Sequence, residues 1–248
     1  MSLEWFIEII VNNWPMFLRG AWMTLLIATV GTIFGALIGL IIGIIHTIPK
    51  SKSRIKRVFL KCVSIILSVY VEFFRGTPMI VQAMVVYFGS DLIFHIDMNR
   101  TFAAMFIVSV NTGAYMAEIV RGGIISIDNG QFEAARAIGM NHWQTMVHVV
   151  LPQVMRNILP ATSNQYIMNI KDTSVLNVIG VTELFFQTKT IAGNNFRYFE
   201  SFFVACILYM IMNIIVTQIL RYFERKLAGN ATYQLIDNQE MLRGQKAS

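Results

Sequence analysis

Glu72 and Arg75 stand three residues apart, followed at once by Gly76, Thr77 and Pro78, in a stretch that is otherwise apolar from Val58 to Phe94. On a helix that spacing puts carboxylate and guanidinium on one face, where each can neutralise the other. A second polar block, Lys171-Asp172-Thr173-Ser174, interrupts the stretch Ile158 to Val181. Groups of this kind recognise a solute better than they break bonds. Arg75 suits a carboxylate, Asp172 suits an ammonium, and Thr77, Ser174 and Glu72 add polar contacts, so the set could answer both charges of a zwitterion at short range. Plainer uses fit the same residues singly: an ion pair at a helix kink for Glu72 and Arg75, and helix-to-helix polar contacts, or contacts with a second copy, for residues 171 to 174.

The elements that must hold these groups follow from composition. The chain has 248 residues, of which 55% are hydrophobic and 14% charged, with a mean hydropathy of +0.57; an average soluble domain has about 25% charged residues. So few polar residues cannot cover a water-soluble body of this size, so lipid is the expected solvent and a soluble enzyme is disfavoured. A net charge of +6 might suggest nucleic acid, but the basic residues gather between apolar runs, at Lys50, Lys52, Arg54, Lys56, Arg57 and Lys61, as in loops retained on the cytoplasmic side. No nucleic-acid partner is expected.

Ala21 to Ile45 is 25 residues without a charge and long enough to cross a bilayer. Its Gly31, Gly35, Gly39 and Gly43 recur every fourth residue and predict a face where a neighbouring helix comes close. Phe202 to Leu220 and Thr101 to Ala117 are further spans. Val58 to Phe94 reads as one long crossing broken at Gly76-Thr77-Pro78, a break tolerated only when buried in protein or lining a wet cavity. Ile158 to Val181 is polar enough for hydropathy alone to omit it.

Residues 1 to 19 set Leu3, Trp5, Phe6, Ile9 and Ile10 against Glu4, Glu8 and Asn12, the pattern of an amphipathic helix in the outer interface. With no basic residue before Arg19, the N-terminus is expected to be retained rather than cleaved as a signal. Residues 227 to 248 read as a polar cytoplasmic tail. Cys62 and Cys206 lie in apolar segments as small packing residues, and His46, His95, His142 and His148 lack ligand spacing, so no metal is expected. Glu118 and Arg121, beside Tyr115 at the end of the third span, read as an ion pair or a gate.

Between the third and fourth spans lies Asp128-Asn129-Gly130-Gln131-Phe132-Glu133-Ala134-Ala135-Arg136-Ala137-Ile138-Gly139. The Asn-Gly turn, the run of helix formers and the terminal glycine predict a short helix that stops at Gly139. Asn141 can cap a second helix, which Pro152 is expected to end. Small Ala134 and Ala135, with Glu133 and Arg136 at the rim, suit insertion into a partner's groove; an ordinary hairpin on the membrane surface uses the same residues.

Glu133-Ala134-Ala135, then Gly139, Val149 and Leu151-Pro152 at the intervals found here, resembles the EAA loop of ATP-binding-cassette importer permeases, with Val149 where that family usually has isoleucine. Glu72-Phe73-Phe74-Arg75-Gly76-Thr77-Pro78 with Gln82 is similar to a segment of the polar amino acid uptake permeases, the group containing histidine, glutamine and arginine transporters. Lys171 to Ser174 with Ile179-Gly180-Val181-Thr182-Glu183-Leu184 is similar to a second block, with Val175 where leucine is more usual.

The resemblance implies a coupling helix, roughly Gln131 to Met140, carrying Gln131, Glu133, Ala134, Ala135 and Gly139, that docks on a separate ATPase subunit. It also implies a second permease copy, a substrate-binding protein outside the cell, and uptake of a polar amino acid through a bacterial plasma membrane. ATP and magnesium would belong to the ATPase, because this chain has no Gly-x4-Gly-Lys-Ser/Thr loop and needs no cofactor of its own. With the basic loop, residues 121 to 157 and the tail all cytoplasmic, parity requires five crossings and an external N-terminus. The expected fold is therefore an all-α integral membrane protein: an interfacial segment 1–19, a permease domain 20–226 with its coupling loop 121–157, and a tail 227–248. The external segments 89–100 and 181–197 are the expected docking surface for the binding protein. Rival readings are an ion-coupled secondary transporter or channel relaying ions through Glu72, Glu118 and Asp172, and a membrane enzyme using Glu72 and Asp172 as acid and base.

Overall fold

The computed structural model describes residues 3–48 and 53–228, and those residues form helices and connecting turns with no strand. Helix α1 (Leu3–His46) is followed by α2 (Arg54–Gly76), α3 (Met79–Phe94), α4 (Arg100–Ile125), α5 (Asn129–Ala137) and α6 (His142–Thr145). A π turn (Met146–Val150) leads into α7 (Leu151–Asp172), a 3-10 turn (Thr173–Ile179), α8 (Leu184–Asn195) and α9 (Tyr198–Ala228). Lys50, Lys52 and all but the first two residues of the expected tail lie outside the described residues.

The glycine face builds the bundle. A Cβ placed on Gly31, Gly35, Gly39 or Gly43 would fall 2.3, 2.6, 2.3 or 2.6 Å from Val108, Thr112, Met116 or Val120 of α4, respectively. Both series advance by four residues in the same direction, so α1 and α4 run parallel with their backbones in close approach. Without side chains on one surface, the branched and long side chains of the other nest against the α1 backbone.

Two of the polar residues that weaken the hydropathy of α7, Gln165 and Asn169, face inward and are paired. Asn169 Nδ2 donates to Thr32 Oγ1 at 2.8 Å and to Thr112 Oγ1 at 3.0 Å, while Gln165 Nε2 donates to Asn169 Oδ1 at 3.1 Å. Thr32, Thr112, Gln165 and Asn169 are all buried, so this network ties α1, α4 and α7 without leaving a polar group unsatisfied in an apolar interior. Among the described residues α1, α4 and α9 are long and apolar enough to cross a membrane, and α3 is a shorter apolar helix.

Two local expectations differ from the structure. The helix expected over residues 1–19 is not separate: α1 continues through Arg19 and Gly20, with Pro15 inside it, for 44 residues or about 66 Å. Its first part packs along the start of α9, with Phe6 edge-on to Phe203 at 5.6 Å and Ile9 and Phe17 buried beside Val204 and Met212. That contact gives the amphipathic pattern a protein neighbour and removes any reason for the chain to turn at Gly20. Pro152, expected to end a helix, instead enters α7 in its first turn. The preceding π turn shifts the hydrogen-bond ladder, with the Leu151 N–H reaching Met146 O, and Gln153 Nε2 satisfies Val149 O at 2.8 Å.

Candidate functional site

The break predicted at Gly76-Thr77-Pro78 separates α2 from α3 and is held by two side-chain amides. Helix α2 ends with carbonyls that Pro78 cannot satisfy, having no N–H. Gln82, one turn into α3, donates Nε2 to Phe74 O at 3.0 Å, Thr77 O at 2.9 Å and Thr77 Oγ1 at 2.9 Å. Its Oε1 accepts from Asn111 Nδ2 of α4 at 2.9 Å, and the same Asn111 nitrogen lies 3.3 Å from Phe74 O. A buried glutamine and a buried asparagine thus replace the missing ladder and anchor the broken segment to α4. Thr77 Oγ1 also donates to Phe73 O at 2.8 Å, so its hydroxyl already serves the break.

The expected Glu72–Arg75 pair does not form. Arg75 turns toward α4, where Nη1 lies 4.0 Å from Glu118 Oε2 and the guanidinium lies 5.8 Å from the centroid of the Tyr115 ring. Glu118 is also held by Arg121, at 2.8 Å from Nη2 and 3.1 Å from Nε. The carboxylate therefore binds Arg121 tightly and Arg75 loosely, which leaves Arg75 the more easily released. Glu72 is exposed on α2, in a shallow groove with Ser64, Ser68 and Phe73.

Asp172 ends α7 exposed beside Lys171, while Ser174 is half-buried in the 3-10 turn, its carbonyl accepting from Asn177 Nδ2 at 2.7 Å. No hydrogen bond or ion pair joins Arg75 or Thr77 to Asp172 or Ser174. The two groups are linked through α3, whose Met79 and Val86 pack in one apolar cluster with Val175 and Val178 of the 3-10 turn.

On the loop between α4 and α7, Asp128 caps α5 through Gly130 N–H, and the helix closes on Gly139 at φ +82. Met140 N–H returns to Ala135 O at 3.0 Å and Gly139 N–H to Arg136 O at 3.0 Å, satisfying the last carbonyls as a left-handed glycine cap does. Asn141 caps α6 in a reciprocal box with Gln144. Gln131, Glu133, Ala134 and Gly139 are exposed, whereas Ala135 is buried against its own hairpin. The two alanines therefore divide the work: Ala135 lets the hairpin close, and Ala134 keeps the outer face low. Ile138 and Trp143 are exposed beside them, at 75% and 67%. Partial burial, aided by the Arg136 charge, holds the His142 imidazole below the ordinary histidine range.

Glu183 went unremarked as a functional residue on sequence grounds. It is fully buried, caps α8 through Phe185 N–H at 2.8 Å and Phe186 N–H at 2.7 Å, and accepts from Tyr209 OH of α9 at 3.0 Å. An acidic residue just ahead of the apolar run Leu184-Phe185-Phe186 is the cap signal that marks it.

Residues 35–229 match the family described as the binding-protein-dependent transport system inner membrane component. The chain belongs to this family. It is 37% identical over 214 residues to the glutamine transport system permease protein GlnP of Escherichia coli K12, covering 86% of this chain and 93% of that one. It is 35% identical over 216 residues to the arginine transport system permease protein ArtQ of Bacillus subtilis, covering 87% and 94%. Among solved structures, a chain from an amino acid ABC transporter with histidines matches with a TM-score of 0.79 at 34% identity, covering 91% of this permease and 100% of that chain. An inward-facing MetNI methionine transporter matches in fold, with a TM-score of 0.71 at 21% identity. The permease is thus a helical transport subunit of an inner membrane, not an enzyme, and its family works with a separate ATPase and a substrate-binding protein.

Proposed function

We propose that this permease carries a polar amino acid inward as the membrane subunit of an ATP-binding-cassette importer. The observation that carries the reading is the exposed, glycine-capped helix α5, bearing Glu133 and Ala134 between two bundle helices, in a chain 37% identical to a glutamine permease. In this reading α5 is the coupling helix. The body is the segment 20–226, with five crossings, an external N-terminus and a cytoplasmic C-terminus, and two permease copies pair with two ATPase copies. ATP closes the ATPase dimer, the coupling helices follow, and the bundle opens outward to receive solute from the binding protein at segments 89–100 and 181–197; hydrolysis returns it inward.

Arg75 and Asp172 are the proposed contacts for the carboxylate and the α-amino group, with Thr77, Ser174 and Glu72 around them. The loose hold of Glu118 on Arg75 supports the first assignment, because an incoming carboxylate competes with a partner 4.0 Å away. The exposure of Asp172 at a helix end supports the second. The test is amino acid stimulation of ATPase activity in the reconstituted complex carrying Arg75→Ala or Asp172→Ala. A raised half-maximal concentration in both is expected, and wild-type values in both would remove them from the site.

A further inference from the structure

Glu183 occupies a corner of the chain with neighbours on three elements. Before it, the 3-10 turn that follows Asp172 ends at Gly180, φ +77, and the buried Val181. After it, α8 begins, and the first three N–H groups of α8 are all taken. Leu184 N–H donates to Thr24 Oγ1 of α1 at 3.2 Å, and those of Phe185 and Phe186 donate to Glu183 itself. Tyr209 of α9 donates to the same carboxylate. Gly20 of α1 lies so close that a Cβ there would fall 2.8 Å from Leu184 Cα.

A helix cap alone does not require this arrangement. Serine, threonine, asparagine or aspartate cap with shorter side chains, and a carboxylate removed entirely from solvent carries a large desolvation penalty unless several donors meet it. The longer glutamate, besides reaching both α8 amides, accepts from a third donor on a different helix. We infer that Glu183 is a positioning residue: through Tyr209 it locks the start of α8 and the end of the 3-10 turn to α9, so that a push on α8 moves the segment after Asp172 rather than bending the corner. The inference rests on the proposed docking of the binding protein at 181–197. It adds the route by which docking reaches the segment bearing Asp172 and Ser174.

The experiment uses the full complex of permease, ATPase and binding protein in liposomes, with L-glutamine and L-arginine as trial solutes and ATPase rate as the readout. Glu183→Gln weakens the cap and the bond to α9 together; Tyr209→Phe removes the bond to α9 and leaves the cap. Both variants are expected to keep basal ATPase activity and to lose at least about fivefold of the stimulation by loaded binding protein, the scale of a coupling between sites. Thr24→Val, which removes the acceptor of Leu184 N–H and a side-chain hydrogen bond to Tyr209 but leaves the Tyr209–Glu183 bond itself, is expected to lose less.

If Tyr209→Phe is stimulated like the wild type, the inference is overturned and Glu183 is a helix cap only. If both variants lose basal activity as well, the lock is a general structural contact and the inference also falls. Crosslinking checks the docking reading separately, from a cysteine at exposed Lys189 or Phe196 to the binding protein. No crosslink in the wild-type background would refute docking, whatever the ATPase variants do.

Discussion

Gly39→Ala adds one methyl group where α1 meets α4 most tightly. The new Cβ would lie 2.3 Å from Met116 Cβ, 2.6 Å from Met116 C and 2.7 Å from Ala117 N, so two of its three nearest atoms are backbone. No rotamer change moves those atoms, and the helices must separate. Overpacking a tight interior costs about 1–3 kcal/mol, and a clash with backbone belongs at the upper end, near 3 kcal/mol. Two comparisons isolate the cause. Gly31→Ala meets Val108 Cγ1 at 2.3 Å and Cβ at 2.8 Å, so Val108→Ala, which deletes the closer atom, is expected to recover part of the loss. Met116→Ala keeps both Cβ and backbone and is expected to rescue nothing at Gly39. Gly122→Ala, on the same α4 but with nothing within 4 Å, is expected to be neutral or to gain up to about 1 kcal/mol from helix propensity. The assay is equilibrium unfolding of the purified permease in mixed micelles by dodecyl sulfate, followed by circular dichroism. If Gly39→Ala unfolds within about 0.5 kcal/mol of the wild type, the ordinary range for surface substitutions, the close α1–α4 seam is wrong.

Gln82→Leu leaves Thr77 O without its side-chain donor, Phe74 O with only the longer bond from Asn111, and Asn111 without its glutamine acceptor, and is expected to destabilise by about 1–3 kcal/mol in the same assay, the penalty for an orphaned buried group. Gly139→Ile forces a β-branched residue to φ +82 and opens the cap of α5; less ATPase subunit should co-purify with the permease, whereas Gly122→Ile in the same preparation should retain it. For His142 the sign follows from its lowered pKa: the folded loop favours the neutral ring, so stability is complete above the ordinary value of 6.5 and falls as pH drops from there toward the lowered value. The ring is only partly buried and the effect small, but its NMR titration midpoint should lie below the ordinary histidine range and rise in Arg136→Ala.

The glycine face of α1 and the α5 hairpin were legible because each depends on a short-range pattern: glycine at every fourth residue, and a cap, helix formers and a left-handed glycine in succession; that α4 is the helix on that face was not, since only the packed fold chooses the neighbour. The break after α2 was legible from Gly76 and Pro78, but not the amides that hold it, since Gln82 acts through a fold-back and through Asn111, 29 residues away. The Glu72–Arg75 pair failed for a related reason. Helical spacing allowed it, yet Arg75 had a choice of carboxylates, and Glu118 on α4 became its neighbour only once the helices packed. The N-terminal segment was misjudged because an amphipathic face can meet lipid headgroups or another helix equally well; Phe203 and Val204 of α9 supply the second. Glu183 was hidden by the same kind of distance, its partner Tyr209 lying on the final helix.

The central claim is that this chain is a passive conduit moved by a separate ATPase, and reconstitution tests it most directly. Liposomes holding the permease alone, and liposomes holding permease, ATPase and binding protein, are supplied with radiolabelled L-glutamine or L-arginine, with or without ATP on the ATPase side, and with or without an ion gradient. Accumulation only in the full complex with ATP is the predicted result. Accumulation by the permease alone, driven by the ion gradient, would contradict it.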